Sequence, residues 1–162
     1  MAEIGFKKVR EVYDNLFDYL NATLTNANGT GSTRPIRKVV KGEIGMSELP
    51  PQSIAMQFLG DVKVGRTSDH DIRRIHFKLR VVVEPESANE PDASALIKMA
   101  LVDNAVDAYN FNYSNGAFQN GAFGMSDPEW SLSYSAHSQT HGAIVVAECL
   151  RSFRVVVQKS NN

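Results

Sequence analysis

His70, set between Asp69 and Asp71, and His137, four residues before His141 with Cys149 beyond, are where this chain could ligate a metal or move a proton. A His-Asp pair ligates metal in some hydrolases, but only with further His and Asp residues converging on it, and Thr67-Ser68-Asp69-His70-Asp71 reads as a solvated polar turn. His137 and His141 would share a face on a helix, yet Ser138-Gln139-Thr140 between them reads as a turn, so no metal site completed by Cys149 is expected. Cys149, the only cysteine, falls on the apolar side of its segment and reads as a buried, inert thiol. The chain has no Gly-x-Ser-x-Gly elbow, no phosphate-cradling Gly-x-x-x-x-Gly-Lys and no dinucleotide fingerprint. No catalytic residue, bound cofactor or metal is expected, and the chain does not read as an enzyme. The opposing reading, a soluble α+β ligand-binding or hydrolytic domain, would have to work through His70 or through His137 and His141.

The other chemistry-bearing pattern is a row of cations. Ile75, Phe77, Leu79, Val81 and Val83 alternate with Arg74, His76, Lys78, Arg80 and Val82, the period-two signature of a half-buried strand. Burying each large apolar side chain is worth about 1.5–3 kcal/mol, and a one-residue slip would bury the cations instead, so the register is strongly specified. The basic face could follow a phosphate backbone, but sheets that read single strands also stack bases on exposed aromatics, and Phe77 points to the other side. A solvated face or a charged contact with another copy of the chain remain. Glu84 and Glu86, with Glu90 and Asp92, form an acidic stretch on the same chain, and opposed patches suit a head-to-tail, ring-closing interface.

The elements around this strand follow from periodicity. Glu3 to Leu24 is an amphipathic helix with Phe6, Val9, Tyr13, Leu16 and Leu20 on one stripe. A polar loop follows at 25–33, then a short strand within Pro35 to Lys41. Leu49-Pro50-Pro51 leads into a strand at Ser53 to Leu59, and Gly60 to Asp71 reads as a polar connection that returns the chain antiparallel to the basic strand as a long hairpin. Ala93 to Tyr109 is a second helix, with Asp92 or Ser94 as cap and Ala95, Met99, Val102, Val106 and Tyr109 as its stripe. Residues 110–128 read as a long flexible loop in which Phe111, Phe118 and Phe123 are spaced among Gly116, Gly121 and Gly124. Those phenylalanines are candidate anchors for a partner. A strand from Trp130 to Ala136 and a long closing segment, Ala143 to Gln158, complete the chain. A bulge or bend between Glu148 and Ser152 is expected in that segment, where Arg151 interrupts the apolar side. The fold class is thus α+β: an antiparallel sheet of four to five strands, with the N-terminal and central helices packed on one face.

The bulk properties agree with one domain over 1–162: 43% of residues are hydrophobic and 22% charged. Seventeen basic against eighteen acidic residues give a net charge of −1, so bulk attraction to nucleic acid or anionic membrane is not implied. Met1 to Lys8 holds no apolar run of signal length and no stretch approaches a membrane span, so a soluble protein made in a cytosol is expected.

The order and spacing of these elements resemble the tail terminator proteins of long-tailed bacteriophages. The likeness is carried by the helix Phe6 to Leu20, Leu49-Pro50-Pro51 before Ile54 to Leu59, the strand Arg73 to Val83, the helix Ala93 to Tyr109 and the closing strands from Trp130 and Ala143. The resemblance implies a structural virion protein at the neck, or head-tail junction, assembled in the host cytoplasm. There a homo-hexameric ring caps the tail tube protein and joins it to the head connector or stopper protein, and genome DNA passes through the lumen without sequence-specific binding. The subunit or partner interface expected on this reading comprises Arg74, Lys78, Arg80, Glu84, Glu86, Phe111, Phe118 and Phe123. The longer stretches at 60–71 and 110–128 depart from the family pattern, and a head-tail connector, a stopper or a minor tail protein is the alternative within the same class.

Overall fold

The computed structural model describes residues 2–25, 36–42, 52–66, 68–83, 91–109, 124–138 and 142–158. In chain order the elements are α1 (Ala2–Thr25), β1 (Lys38–Lys41), β2 (Ser53–Arg66), β3 (His70–Val83), α2 (Pro91–Asp107), β4 (Gly124–Met125), β5 (Glu129–Ser138) and β6 (Gly142–Gln158). The sheet runs β1-β2-β3-β6, and β4 and β5 both pair with the outer edge of β6. β4 lies opposite Arg154 and Phe153, while β5 lies opposite Leu150 back to Gly142, so the two act as one interrupted edge strand. The α+β class holds. All pairs are antiparallel except β1 with β2, which is parallel and makes the sheet mixed.

The alternation of β3 sets the core. Ile75, Phe77, Leu79, Val81 and Val83 are all fully buried. They meet Ile54 and Met56 from β2 and Val145, Ala147, Cys149, Phe153 and Val155 from β6 in one cluster. α1 closes this face with Val9, Val12, Leu16, Leu20 and Leu24, spaced by threes and fours. α2 adds Ala95, Val102, Ala105 and Val106. The two helices are tied at one end, where Tyr109 Oη donates to Asn15 Oδ1 at 2.7 Å and its ring lies 5.1 Å from that of Tyr19. Pro91 opens α2, a position where its missing N–H costs nothing, so Asp92 and Ser94 fall inside the first turn and not at the cap. Gly42, at φ +102°, turns the chain out of β1 and donates its N–H to Met56 O at 2.8 Å, a conformation that favours glycine.

Three expectations need correction. The expected antiparallel hairpin of β2 and β3 is present, but Gly60 to Asp71 is strand and not a polar connection for most of its length: the two strands pair from Ser53↔Val82 to Arg66↔Asp71. Bulges between Phe58 and Gly60 and between Lys63 and Gly65 absorb the broken alternation there. The charged residues pair across the strands, Arg73 Nη1 to Asp61 Oδ2 at 2.6 Å and Lys63 Nζ to Asp71 Oδ2 at 3.3 Å, while Asp61 Oδ1 and Arg73 Nε are buried with no hydrogen-bond partner among the described residues. β6 has no bulge between Glu148 and Ser152, because its register against β3 is unbroken from His70↔Gln158 to Val83↔Val145. Arg151 therefore stays on the core side and brings its charge with it. Finally, the loop expected over 110–128 ends early, since Gly124 and Met125 already pair with β6. The remainder, 110–123, lies outside the described residues.

Candidate functional site

On the sheet face turned away from the helices, β3 presents Arg74, His76, Lys78, Arg80 and Val82, and the register places Arg154, Ser152, Leu150, Glu148 and Val146 of β6 opposite them in that order. At one end Ala55, Val82 and Val146 are buried in a small apolar cluster flanked by Val40 and Ile144. Beyond it lies a charged belt. Lys78 Nζ and Arg80 Nη2 each reach Glu148 Oε2 at 3.2 Å, so one carboxylate holds two cations from the neighbouring strand. Burial would raise the Glu148 pKa, but the Lys78 hydrogen bond and the Arg80 and Lys78 charges outweigh it and hold the carboxyl below its usual range.

A carboxylate held low in the folded state stabilises the fold above its ordinary unfolded pKa, and that contribution is lost as pH falls through the lowered value. Glu148→Gln should therefore be less stable than the parent near neutral pH. The gap in urea midpoint should narrow towards zero on acidification from about pH 7 to about pH 3. A gap that stays constant over that range would show that the lost stability is packing and not charge.

Of the residues expected at an interface, the structure thus commits Lys78 and Arg80 to Glu148, within the sheet. Arg74 shares their face and donates from Nη1 to Ser152 Oγ at 3.1 Å. Glu84, Glu86, Phe111, Phe118 and Phe123 lie outside the described residues, so their relation to this face is not defined. Arg154, directly opposite Arg74, was missed. Its only sequence signal is its polar parity in the last strand, which is meaningless until the partner strand is known.

A second polar cluster lies on the core side. The Arg151 side chain is 2% exposed, and Nη2 pairs with Asp107 Oδ1 of α2 at 2.7 Å. Nε and Nη2 also donate to the Ser126 carbonyl. Trp130 Nε1 donates to both Asp103 carboxylate oxygens at 3.1 Å. Burial pushes the Asp103 carboxyl above its ordinary range; the Trp130 hydrogen bond and the Arg151 charge oppose this, and Asp107 adds to it. Cys149 is pushed up to about 11, chiefly by burial and then by Asp103, with Arg151 acting the other way. That thiol is inert at neutral pH, as its apolar side implies. These groups pin α2 to the sheet and hold no arrangement of nucleophile and base.

The histidine expectations divide. His70 is the first residue of β3 and not part of a turn, and its neighbour Asp71 is engaged by Lys63. His137 lies in β5, while 139–141, and so His141, are outside the described residues. Among the described residues no group of three or more His, Cys, Asp or Glu side chains could hold a metal ion. No helix among them is long and apolar enough to cross a membrane. No protein-family model matches the chain, and no curated protein matches it either.

Proposed function

We propose that this chain is a structural subunit of a long-tailed phage neck: a ring-forming protein that caps the tail tube and joins it to the head connector. The observation that carries the reading is the order of elements, a long N-terminal helix, a short strand, two long strands, a second helix and closing strands, in the arrangement that resembles tail terminators. Exposed apolar side chains occur on both sides of the outer half of β2, Phe58 beside Tyr13 on the helix side and Val62 opposite Arg74 on the other, each at least 43% exposed, and either side is open to subunit contact. The interface on this reading uses Arg74 with the acidic and phenylalanine-bearing stretches, while Lys78 and Arg80 would have to exchange Glu148 for a neighbour's carboxylate.

Purified protein examined by light scattering, alone and mixed with tail tube protein, is expected to form a closed ring of six copies or to form one on the tube end. Because exposed charges contribute to such contacts, assembly should weaken as salt rises. A monomer that neither closes into rings nor engages the tube at any salt concentration would sink the proposal.

A further inference from the structure

Beyond the Lys78, Arg80 and Glu148 belt, the same sheet face carries a charge arrangement that the described residues leave unbalanced. Arg74 stands directly opposite Arg154, and His76 directly opposite Ser152. Opposed side chains on neighbouring strands start from Cβ atoms about 4.5–5.5 Å apart, and like charges there destabilise the sheet. Both arginines are half-buried. Among the described residues no carboxylate lies within ion-pair distance of either, and the one hydrogen bond of Arg74 goes to the neutral Ser152 Oγ. The adjacent cations Lys78 and Arg80 are compensated, so the imbalance is local to this corner.

We propose that Arg74 and Arg154 form a binding site for an isolated phosphate group, as inorganic phosphate or a phosphomonoester. Two guanidinium forks supply charge-assisted, paired N–H donors to a tetrahedral oxyanion. Ser152 Oγ accepts from Arg74, which leaves its hydroxyl hydrogen to donate to a phosphate oxygen, and the residue is 7% exposed, so that donor is held in place. His76 offers a ring N–H beside it. Gly60 is the β2 partner of His76, and a Cβ added there would meet nothing within 4 Å, so space is open on that side. A depression of about 270 Å³ shares His76 and Ser152 with the corner and is lined further on by Leu150, Asp127 and Glu129. It can take the organic part of a monoester, whose hydroxyls would donate to those carboxylates.

The same carboxylates select against a nucleic-acid strand. A continuous polyanion crossing from the arginines towards β5 meets Asp127 and Glu129. Among the described residues of this face no Phe, Tyr or Trp offers a base a stacking surface. An isolated phosphate avoids both conflicts. Arg74 also serves the proposed subunit contact, so phosphate and a neighbouring copy's carboxylate would compete for it.

The test is calorimetric titration of the intact protein with inorganic phosphate at low ionic strength, together with melting curves. Saturable binding of one phosphate per chain is expected, weakened about tenfold or more in Arg74→Gln and in Arg154→Gln, because each loses one charge-assisted fork. Lys38→Gln, which removes an exposed cation on β1, should bind like the parent. Without phosphate, Arg154→Gln should melt no lower than the parent, since it removes a like-charge pair, and it should lose the rise in Tm that phosphate gives the parent. Absence of saturable binding, or equal weakening by Lys38→Gln, would overturn the site. So would duplex DNA that binds through Arg154 without competition from phosphate, which would assign the pair to nucleic acid. Oligomers that dissociate in Arg154→Gln while phosphate fails to bind would assign it to a neighbouring copy's carboxylate.

Discussion

Arg151→Ala is expected to destabilise the fold by about 3 kcal/mol, the lower end of what breaking a buried ion pair costs. Its guanidinium is 2% exposed, and its closest carboxylate, Asp107, is 61% exposed and can be rehydrated once the cation is gone, which argues for the lower end. Asp103, 26% exposed, has less recourse to water, and it then relies on the Trp130 N–H, which donates to it at 3.1 Å. The loss extends beyond one pair. α2 places Asp103 and Asp107 in its C-terminal half and has no basic residue in its last turn, so the negative end of the helix dipole meets like charge. Arg151 supplies the missing cation from β6. Removing it also frees the Ser126 carbonyl, which links β4 to β5. Urea unfolding followed by circular dichroism should show the drop, and Arg151→Met, which keeps most of the volume without the charge, should fall between parent and alanine. Because the Asp103 carboxyl is held above its ordinary range, its contribution is present in full at low pH and is lost as pH rises through the raised value. Without Arg151 that loss should steepen. An alanine variant within about 1 kcal/mol of the parent at neutral pH would show that the cluster is incidental to stability.

The elements fixed by their own periodicity were legible in the sequence, and those decided by distant partners were not. The alternation of β3 selects its core residues, and Val82 on the other face is buried as well. In α1 Val9, Leu16 and Leu20 of the expected stripe are buried, Tyr13 is half-buried, and Val12 and Leu24 join them. In α2 Ala95, Val102, Val106 and Tyr109 are buried, Met99 is half-buried and Ala105 joins them. The stretch from Gly60 to Arg66 reads as a linker because Asp61 and Lys63 are polar, and only the β3 register reveals that Arg73 and Asp71 pair with them. Arg151 reads as an interruption because its carboxylate on α2 is 44 positions away. Lys78 and Arg80 read as unpaired for the same reason, since Glu148 is 68 positions beyond Arg80. Even the like-charge corner of Arg74 and Arg154 is invisible until β3 and β6 are placed side by side. Hydrophobic pattern is local, whereas charge compensation is a property of the register between strands far apart in sequence.

Phe77→Ala should have the largest effect of any core substitution, about 3–5 kcal/mol. Phe77 sits in the middle of the central strand, fully buried, with Phe58 of β2 and Arg151 of β6 as its cross-strand partners. Its ring lies 5.8 Å from that of Phe153 at an interplanar angle of 54°, a tilted contact worth about 0.5–1.5 kcal/mol beyond the area it buries. The cavity left by alanine cannot collapse easily, because the wall on each side is a strand held by ladder hydrogen bonds, and Ile75 and Leu79 are fixed by the same register. Against a typical domain stability of about 5–15 kcal/mol, such a loss removes a large share of the margin and raises the unfolded fraction enough to be seen as reduced soluble yield. Phe77→Leu keeps an apolar side chain of nearly the right size and should cost about 1 kcal/mol, mainly the lost ring contact. The charged face gives the control: Lys78→Gln, one residue on, keeps Arg80 on Glu148 and should shift the midpoint by less than about 1 kcal/mol. If Phe77→Ala and Lys78→Gln proved equally mild, β3 would not be the strand on which the core is built, and the packing of both helices against it would have to be reassigned.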